Sequence, residues 1–340
     1  MPPLNPKRIL FVRPSALGDV CRSVPVVAGL QKKWPEAEID WLVQSDFEHA
    51  ISAHSAVHAT ILFERKNLKR WYLPLGFCRM FRFLRQLKAR NYDLVIDGQG
   101  LGRSGLFAWA TRSKRRVGSK TAREFGWLGY NERVDVQQSH TVDAMLALSQ
   151  AVGAVSSADM QLYVRSDDAK WWDAYIQDNL QQTKYVVLAP TSRWKSKQWP
   201  IERFMEVASF AQSKGYVVVV VGAPSETSQV TELVQQDGVV NLLPQLTVGR
   251  LLAVISKATA VVANDSAALH IAVGFQCPIV GLYGPTNPET VGPYKQDSSV
   301  ISAEVDYESV HYRTKGIGDA IMRRIKTSDV IQKLGEIIGQ

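Results

Sequence analysis

The sequence predicts an α/β protein built from two Rossmann-like, parallel-sheet domains facing each other across a cleft. Three observations carry this. Apolar, strand-like runs alternate with helical patterns along the whole chain. Those runs are continuous in Val, Ile and Leu rather than alternating with polar residues, as in strands buried on both faces. About five strand-helix units fall in each half, a pattern that gives parallel sheets with right-handed crossovers. The 340 residues are enough for two domains of ordinary size.

In order, the first-half strands read as "RILFVRP" (8–14), "EIDWLVQ" (38–44), "ATILFE" (59–64), "YDLVIDG" (92–98) and "RRVGS" (115–119). Helical periodicity lies between them, notably at 20–33, 75–90 and 141–153. The polar stretch 165–183 holds a helix and the linker. In the second half the strands read as "YVVLAP" (185–190), "YVVVVVG" (216–222), "GVVNLL" (238–243), "AVVAND" (260–265) and "PIVGLYG" (278–284), with helices at 201–213, 226–236, 247–257 and 266–275. The expected domains are therefore 1–165 and 166–325, followed by a C-terminal segment 326–340. In such sheets ligands bind beyond the carboxyl ends of the strands.

Composition narrows the class. Hydrophobic residues make up 46% and charged residues 21%, so the chain is globular rather than disordered. No apolar run approaches the roughly 18 residues of a membrane span. The start "MPPLNPKR" leads straight into a strand with no signal-peptide pattern. Cys21, Cys78 and Cys277 have no ligand spacing and read as reduced thiols of a cytoplasmic protein. The net charge of +8 is local. Between Glu64 and Arg90 stand nine Lys or Arg residues against one acid; the rest of the chain is neutral. Such a patch attracts anions. The interleaved "WYLPLGFCRMFRFL" suits an amphipathic helix near anionic lipid, or equally a solvated helix face. Nucleic acid would fit the charge, but no nucleic-acid module surrounds it, so none is expected as a partner.

Four stretches carry chemistry. "RPSALGDV" (13–20) puts Asp19 at a strand-helix junction, as a reactive carboxylate or a plain cap. "DGQGLGRSG" (97–105) resembles a dinucleotide fingerprint but has Arg103 where a glycine is needed. Gly98, Gly100 and Gly102 then read as a tight turn, with Asp97, Gln99 and Arg103 lining the cleft. "APTSRWKSKQWP" (189–200) crowds Thr191, Ser192, Arg193, Lys195 and Lys197 beyond a strand, a set suited to phosphate oxygens or to a basic surface loop. In "VVANDSAALH" (261–270), Asn264, Asp265 and Ser266 either cap a helix or frame an anion site that needs no metal. His270 lies one turn in, where a structural histidine is the ordinary case. Glu226 stands past another strand, where a carboxylate can take the hydroxyls of a ribose. A diphosphate-and-ribose site in one half, and a carboxylate with a basic patch in the other, imply a transferase.

These residues resemble the ADP-heptose:lipopolysaccharide heptosyltransferases, glycosyltransferase family 9, over nearly the whole chain. "SALGDV" is similar to the family's S-x-x-GD turn. "KQWP" at Lys197–Pro200 and "NDSAALH…GLYGPTNP" are similar to its donor-site motifs. "IDGQGLGRSG…GSKTAREFGWLGYNERV" most resembles heptosyltransferase I. The resemblance implies a GT-B fold, with the last helix (327–338) crossing back onto the first domain. It also implies transfer of a heptose, with inversion and without metal or cofactor, from ADP-heptose as substrate to the Kdo region of lipopolysaccharide. Asp19 would be the general base. Thr191, Ser192, Lys197, Glu226, Asp265, Ser266, Ala267 and His270 would bind the donor. Arg65, Lys66, Lys69, Arg70, Lys120 and Arg123 would meet an anionic, Kdo-lipid A-type acceptor. The place implied is cytoplasmic, on the inner face of the inner membrane, in transient contact with it, with the two domains opening and closing around substrate. Two departures stand out: the donor loop is one residue longer, and Ala267 replaces a common glycine. The rivals are a GT-B transferase for another nucleotide sugar, a nucleotide-sugar epimerase, and a non-catalytic nucleotide- or lipid-binding module.

Overall fold

The computed structural model describes residues 5–65, 73–181, 183–310 and 316–339. The chain folds as two units, 1–160 and 161–340. The first holds β1 (Arg8–Val12), β2 (Glu38–Gln44), β3 (Ala59–Phe63), β4 (Leu94–Asp97), β5 (Arg115–Ser119) and β6 (Glu132–Val134). The second holds β7 (Tyr185–Ala189), β8 (Val217–Val220), β9 (Val239–Asn241), β10 (Ala260–Asn264), β11 (Ile279–Tyr283) and β12 (Val300–Ser302).

Both sheets are parallel throughout, and both have one topology. The first runs β3-β2-β1-β4-β5-β6 and the second β12-β11-β10-β7-β8-β9, which is the same order counted from β7. Each is therefore doubly wound, with the strand order reversing between β1 and β4 in one and between β7 and β10 in the other. Past the carboxyl ends of those strand pairs the flanking loops diverge and leave a crevice. The strands pair where their apolar runs coincide, Ile9 with Ile39 and Leu94 in the first sheet, Val261 with Val187 and Ile279 in the second.

Ten of the twelve strands are those the apolar runs predict. The other two, β6 and β12, are three-residue edge strands, too short to form a run. The helix expected over 20–33 is two, Leu17–Arg22 and Val24–Lys33, because Pro25 sits where only a first helical turn tolerates it. Likewise 226–236 resolves into a 3₁₀ turn at Pro224–Gln229 and a short helix at Thr231–Val234. The final helix, Thr327–Ile338, buries Val330, Leu334 and Ile338 in the second unit's core with Phe204 and Met322. Its apolar stripe packs within the second unit.

The glycine-rich 97–105 stretch is a packing device rather than a nucleotide turn. Helix Gly102–Ala110 begins inside it, and a Cβ on Gly105 would collide with the Gly126 carbonyl. Gly100 has φ +66°, the left-handed turn geometry glycine adopts freely. Asp97 lines nothing: it is buried and accepts hydrogen bonds from Tyr130 Oη (2.5 Å) and the backbone N–H of Gln99 (2.8 Å) and Gly100 (3.2 Å). Burial pushes its carboxyl above the usual range despite these donors.

Candidate active site

In the first unit, the turn after β1 carries Arg13 and, at the start of helix Leu17–Arg22, Asp19. The backbone fixes this turn firmly. Arg13 N–H donates to Leu42 O at 3.2 Å, and Trp41 Nε1 donates to Arg13 O at 3.2 Å. Gln99, on the turn after β4, accepts from Ser15 N–H at 3.2 Å, so the two sides of the switch point are tied together.

Asp19 is gripped from three directions. Oδ2 accepts from Ala16 N–H at 3.2 Å, which caps the helix. Oδ1 accepts from Arg22 Nη2 at 2.5 Å and lies 3.2 Å from Arg13 Nη2. Both guanidinium groups are buried, and Arg13 also donates to Gly98 O. Burial alone would resist ionisation of Asp19. The two arginines and the Ala16 N–H outweigh it and hold the carboxyl well below the usual carboxylate range. Asp19 is therefore ionised, one-quarter exposed (27%), and in a defined orientation.

The described cations expected to meet an acceptor follow strands on either side of β1. Arg65 follows β3 and is exposed; Lys66, Lys69 and Arg70 lie outside the described residues. Lys120 and Arg123 follow β5 and are exposed, with Lys120 Nζ 3.9 Å from Asp135. Strands are about 4.8 Å apart, so β3 and β5 each end roughly 10 Å from β1. Arg123 is anchored by its own backbone N–H to Gly100 O at 2.9 Å. No contact joins these cations to Asp19 among the described residues.

In the second unit, four strand ends converge into one hydrogen-bonded network. Asn264, the last residue of β10, donates to Pro190 O at 2.6 Å and accepts from Trp199 N–H at 3.0 Å. It thereby staples both ends of the 190–199 loop. That loop presents Thr191, whose hydroxyl donates to Glu226 Oε2 at 2.7 Å, and Ser192, whose hydroxyl donates to Asp265 O at 3.1 Å. Glu226 Oε2 also accepts from Ala223 N–H at 2.9 Å. Of the loop's three cations only Lys197 turns inward, reaching Asp265 Oδ2 at 2.6 Å; Arg193 and Lys195 are exposed.

Asp265 is the hub. Thr286, on the turn after β11, donates to the same Oδ2 at 2.9 Å. Burial opposes ionisation, yet Lys197 beside it, with His270 and the Thr286 hydroxyl, holds the carboxyl below its ordinary range. Ser266 is the N-cap residue of helix Ala267–Gly274, and its buried Oγ has no hydrogen-bond partner among the described residues. A buried hydroxyl left this way costs about 1–3 kcal/mol, which a ligand can recover. Ala267 opens the helix, and His270 is buried one turn in. Helix N-termini with hydroxyls and a lysine suit a diphosphate. Among the described residues no three His, Cys, Asp or Glu side chains are grouped as metal ligands would be.

Sequence reading missed three residues. Arg22 was visible, three positions after Asp19 on a helix. Arg13 and Thr286 were not, because their roles depend on how β1, and the turn after β11, meet distant chain segments.

The family model for glycosyltransferase family 9 (heptosyltransferase) matches residues 80–316. The lipopolysaccharide core heptosyltransferase OpsX of Haemophilus influenzae is 26% identical over 351 aligned residues, covering 98% of this chain and 97% of that one. Among solved structures, a family 9 glycosyl transferase from Veillonella parvula superposes with a TM-score of 0.84 at 22% identity, covering 98% and 97% of the two chains. The E. coli heptosyltransferase WaaC with ADP gives a TM-score of 0.77 at 24% identity, covering 97% and 99%.

Proposed function

Since the chain belongs to glycosyltransferase family 9, the heptosyltransferases, we propose that it moves a heptose from ADP-heptose to the Kdo region of a lipid-linked lipopolysaccharide precursor. The observation that carries the donor half is the Thr191–Ser192–Lys197–Glu226–Asp265 network at the second switch point. The WaaC relative is a complex with ADP. In this chain Lys197, Thr191, Ser192, Ser266 and the helix N-terminus would take the diphosphate, Glu226 the ribose, and Asp265 with His270 the sugar. Ala267 would border it.

The reaction is a single displacement. An acceptor oxygen attacks the anomeric carbon, the new C–O bond forms as the bond to the diphosphate oxygen breaks, and ADP leaves with the electron pair from the opposite face. Inversion follows. Asp19 receives the acceptor's proton. Its two arginines make it a weak base at rest, but they also keep it ionised and aimed. The attacking oxygen becomes strongly acidic only as its new bond forms, so a weak base suffices late in the transition state. A positioned base of this kind contributes roughly 10²–10⁴ in rate. Charge building on the diphosphate is met by Lys197 and the N–H and hydroxyl donors, each worth roughly 10²–10³. No metal is part of this scheme, so turnover should be unaffected by EDTA. Arg65, Lys66, Lys69, Arg70, Lys120 and Arg123 would take the acceptor's carboxylates and phosphates, placing the work at the cytoplasmic face of the inner membrane.

The test is a donor screen with Kdo-lipid A as acceptor. ADP-heptose should give by far the highest kcat/KM against ADP-, UDP- and GDP-hexoses. Preference for a UDP- or GDP-sugar would overturn the donor assignment. ADP-heptose consumed equally without acceptor would overturn the transferase.

A further inference from the structure

The helix Pro74–Ala89 has two unlike faces. Inward, Phe83 and Leu87 are buried with Phe63 and Phe107, and Met80 and Leu84 pack beside them. Outward, it leaves Leu75, Phe77 and Phe81 exposed by 75%, 59% and 54%. Phe77 and Phe81 stack on each other in solvent at 6.4 Å, and Arg85 lies over Phe81 at 5.9 Å. Among the described residues the first unit also exposes Trp109, Phe125 and Leu128, whereas the second is nearly free of such groups. Among the described residues of the second unit, the only exposed large hydrophobics are Tyr163 and Ile317.

Charge decides what covers this face. Arg79, Arg82, Arg85 and Lys88 are exposed on the helix, which carries no acid. Arg90, just beyond, is committed to Asp40 at 2.9 Å and does not contribute. An apolar ridge bordered by long cations matches an anionic bilayer: rings enter the acyl boundary while guanidinium groups stay among the headgroups. At 16 residues the helix is about 24 Å long, too short to cross the roughly 30 Å hydrocarbon core. It lies on the surface.

We propose that helix Pro74–Ala89 docks the first unit in-plane on anionic phospholipid, with Phe77 and Phe81 inserted. This deepens the reading that the acceptor is lipid-linked, naming the element that brings the enzyme to it, but the surface evidence stands without that reading.

The test is co-sedimentation of the full chain with vesicles free of lipid A. One set is pure phosphatidylcholine, the other 7:3 phosphatidylcholine to phosphatidylglycerol. Binding to the anionic vesicles alone, weakened by raising salt, is expected. Arg79→Gln with Arg82→Gln should weaken it by roughly 10- to 30-fold, at about fivefold per cation. Phe77→Ser with Phe81→Ser should weaken it at least about tenfold. The Phe pair is exposed, so an unchanged melting temperature and unchanged turnover on a deacylated, water-soluble Kdo acceptor are expected controls. Binding that ignores both variants, or no binding at all, overturns the inference; so does a helix that captures an acidic protein but no vesicle. Transfer to the soluble acceptor without vesicle binding would sink only the docking surface. Vesicle binding without heptose transfer would sink only the functional reading.

Discussion

The two switch points share a topology and differ in how they hold charge. In the first, one carboxylate faces two buried arginines rooted in the end of β1 and in the same short helix. In the second, one carboxylate faces a single lysine that arrives on a loop, plus a hydroxyl from another turn. The first arrangement has one cation in excess and cannot exchange partners without moving the strand and helix that carry them. The second holds its lysine on a four-carbon stem, so an arriving phosphate can compete for Lys197 without disturbing the sheet. Fixed charge suits a group that must be aimed; exchangeable charge suits a group that must receive and release an anion.

The largest effect should come from the fixed side. Asp19→Asn removes the proposed proton acceptor and should lower kcat by roughly 10²–10⁴ with the KM for ADP-heptose nearly unchanged. It also strands two buried arginines. The loss in stability should fall short of the ~3–5 kcal/mol typical of a fully buried pair, since Asp19 is 27% exposed. A lower melting temperature with intact turnover would break the comparison, making Asp19 a structural counter-ion as Asp40 is to Arg90.

Lys197→Met tests the exchangeable side. Steady-state kcat/KM should drop by roughly 10²–10³. Asp265 gives a second readout. In the native protein its pKa is depressed. The stability it contributes is therefore present above the unfolded carboxylate value, about 3.9, and lost as pH falls through the folded one. Without Lys197, burial dominates and the folded pKa rises above 3.9. The variant then loses stability as pH rises. The melting-temperature gap between native and variant protein should widen as pH rises from 4 to 7.5; a constant gap would mean that Lys197 does not carry the Asp265 charge.

This asymmetry shows what a sequence exposes. Strand runs such as "YVVVVVG" were legible because two-sided burial writes itself as unbroken Val and Ile. Asp19, Lys197 and Asp265 were legible because they stand just past such runs, where parallel sheets put ligands. The partners were not, since partnership depends on strand order. Thr286 is 21 residues from Asp265, and meets it only because β11 lies beside β10. The 97–105 glycines read as a tight turn, and Gly100 turns as expected; that Gly105 answers to Gly126 was not legible, since no local pattern records that close approach.

Thr286→Val sharpens the hub. The hydroxyl shares Oδ2 of Asp265 with Lys197. A hydrogen bond to a charged group is worth about 1.5–3 kcal/mol at most, and Lys197 remains, so kcat/KM for ADP-heptose should fall by roughly tenfold. The effect should appear in KM rather than kcat, because the hydroxyl holds Asp265 of the proposed donor site. Equal losses with every acceptor, at unchanged affinity for ADP-heptose, would argue that Thr286 acts elsewhere.

Arg22→Gln should change least at neutral pH and reveal most about the first switch point. Glutamine can still donate to Asp19 Oδ1, so the carboxylate keeps its aim, and turnover at pH 7.5 should shift only a few-fold. The pH profile is where the change lies. With both arginines Asp19 is far below the usual carboxylate range, so no acid limb from it should appear in kcat/KM between pH 5 and 8. Removing Arg22 leaves Arg13 and the Ala16 N–H against burial, and burial raises the pKa. The sign is fixed: the acid limb must move to higher pH, while the alkaline limb stays. Arg13 donates to Gly98 O as well as lying beside Asp19, so Arg22 is the cleaner probe of the two. An unchanged acid limb would mean that Asp19 does not titrate in the rate-determining step, and the two switch points would then differ in geometry alone.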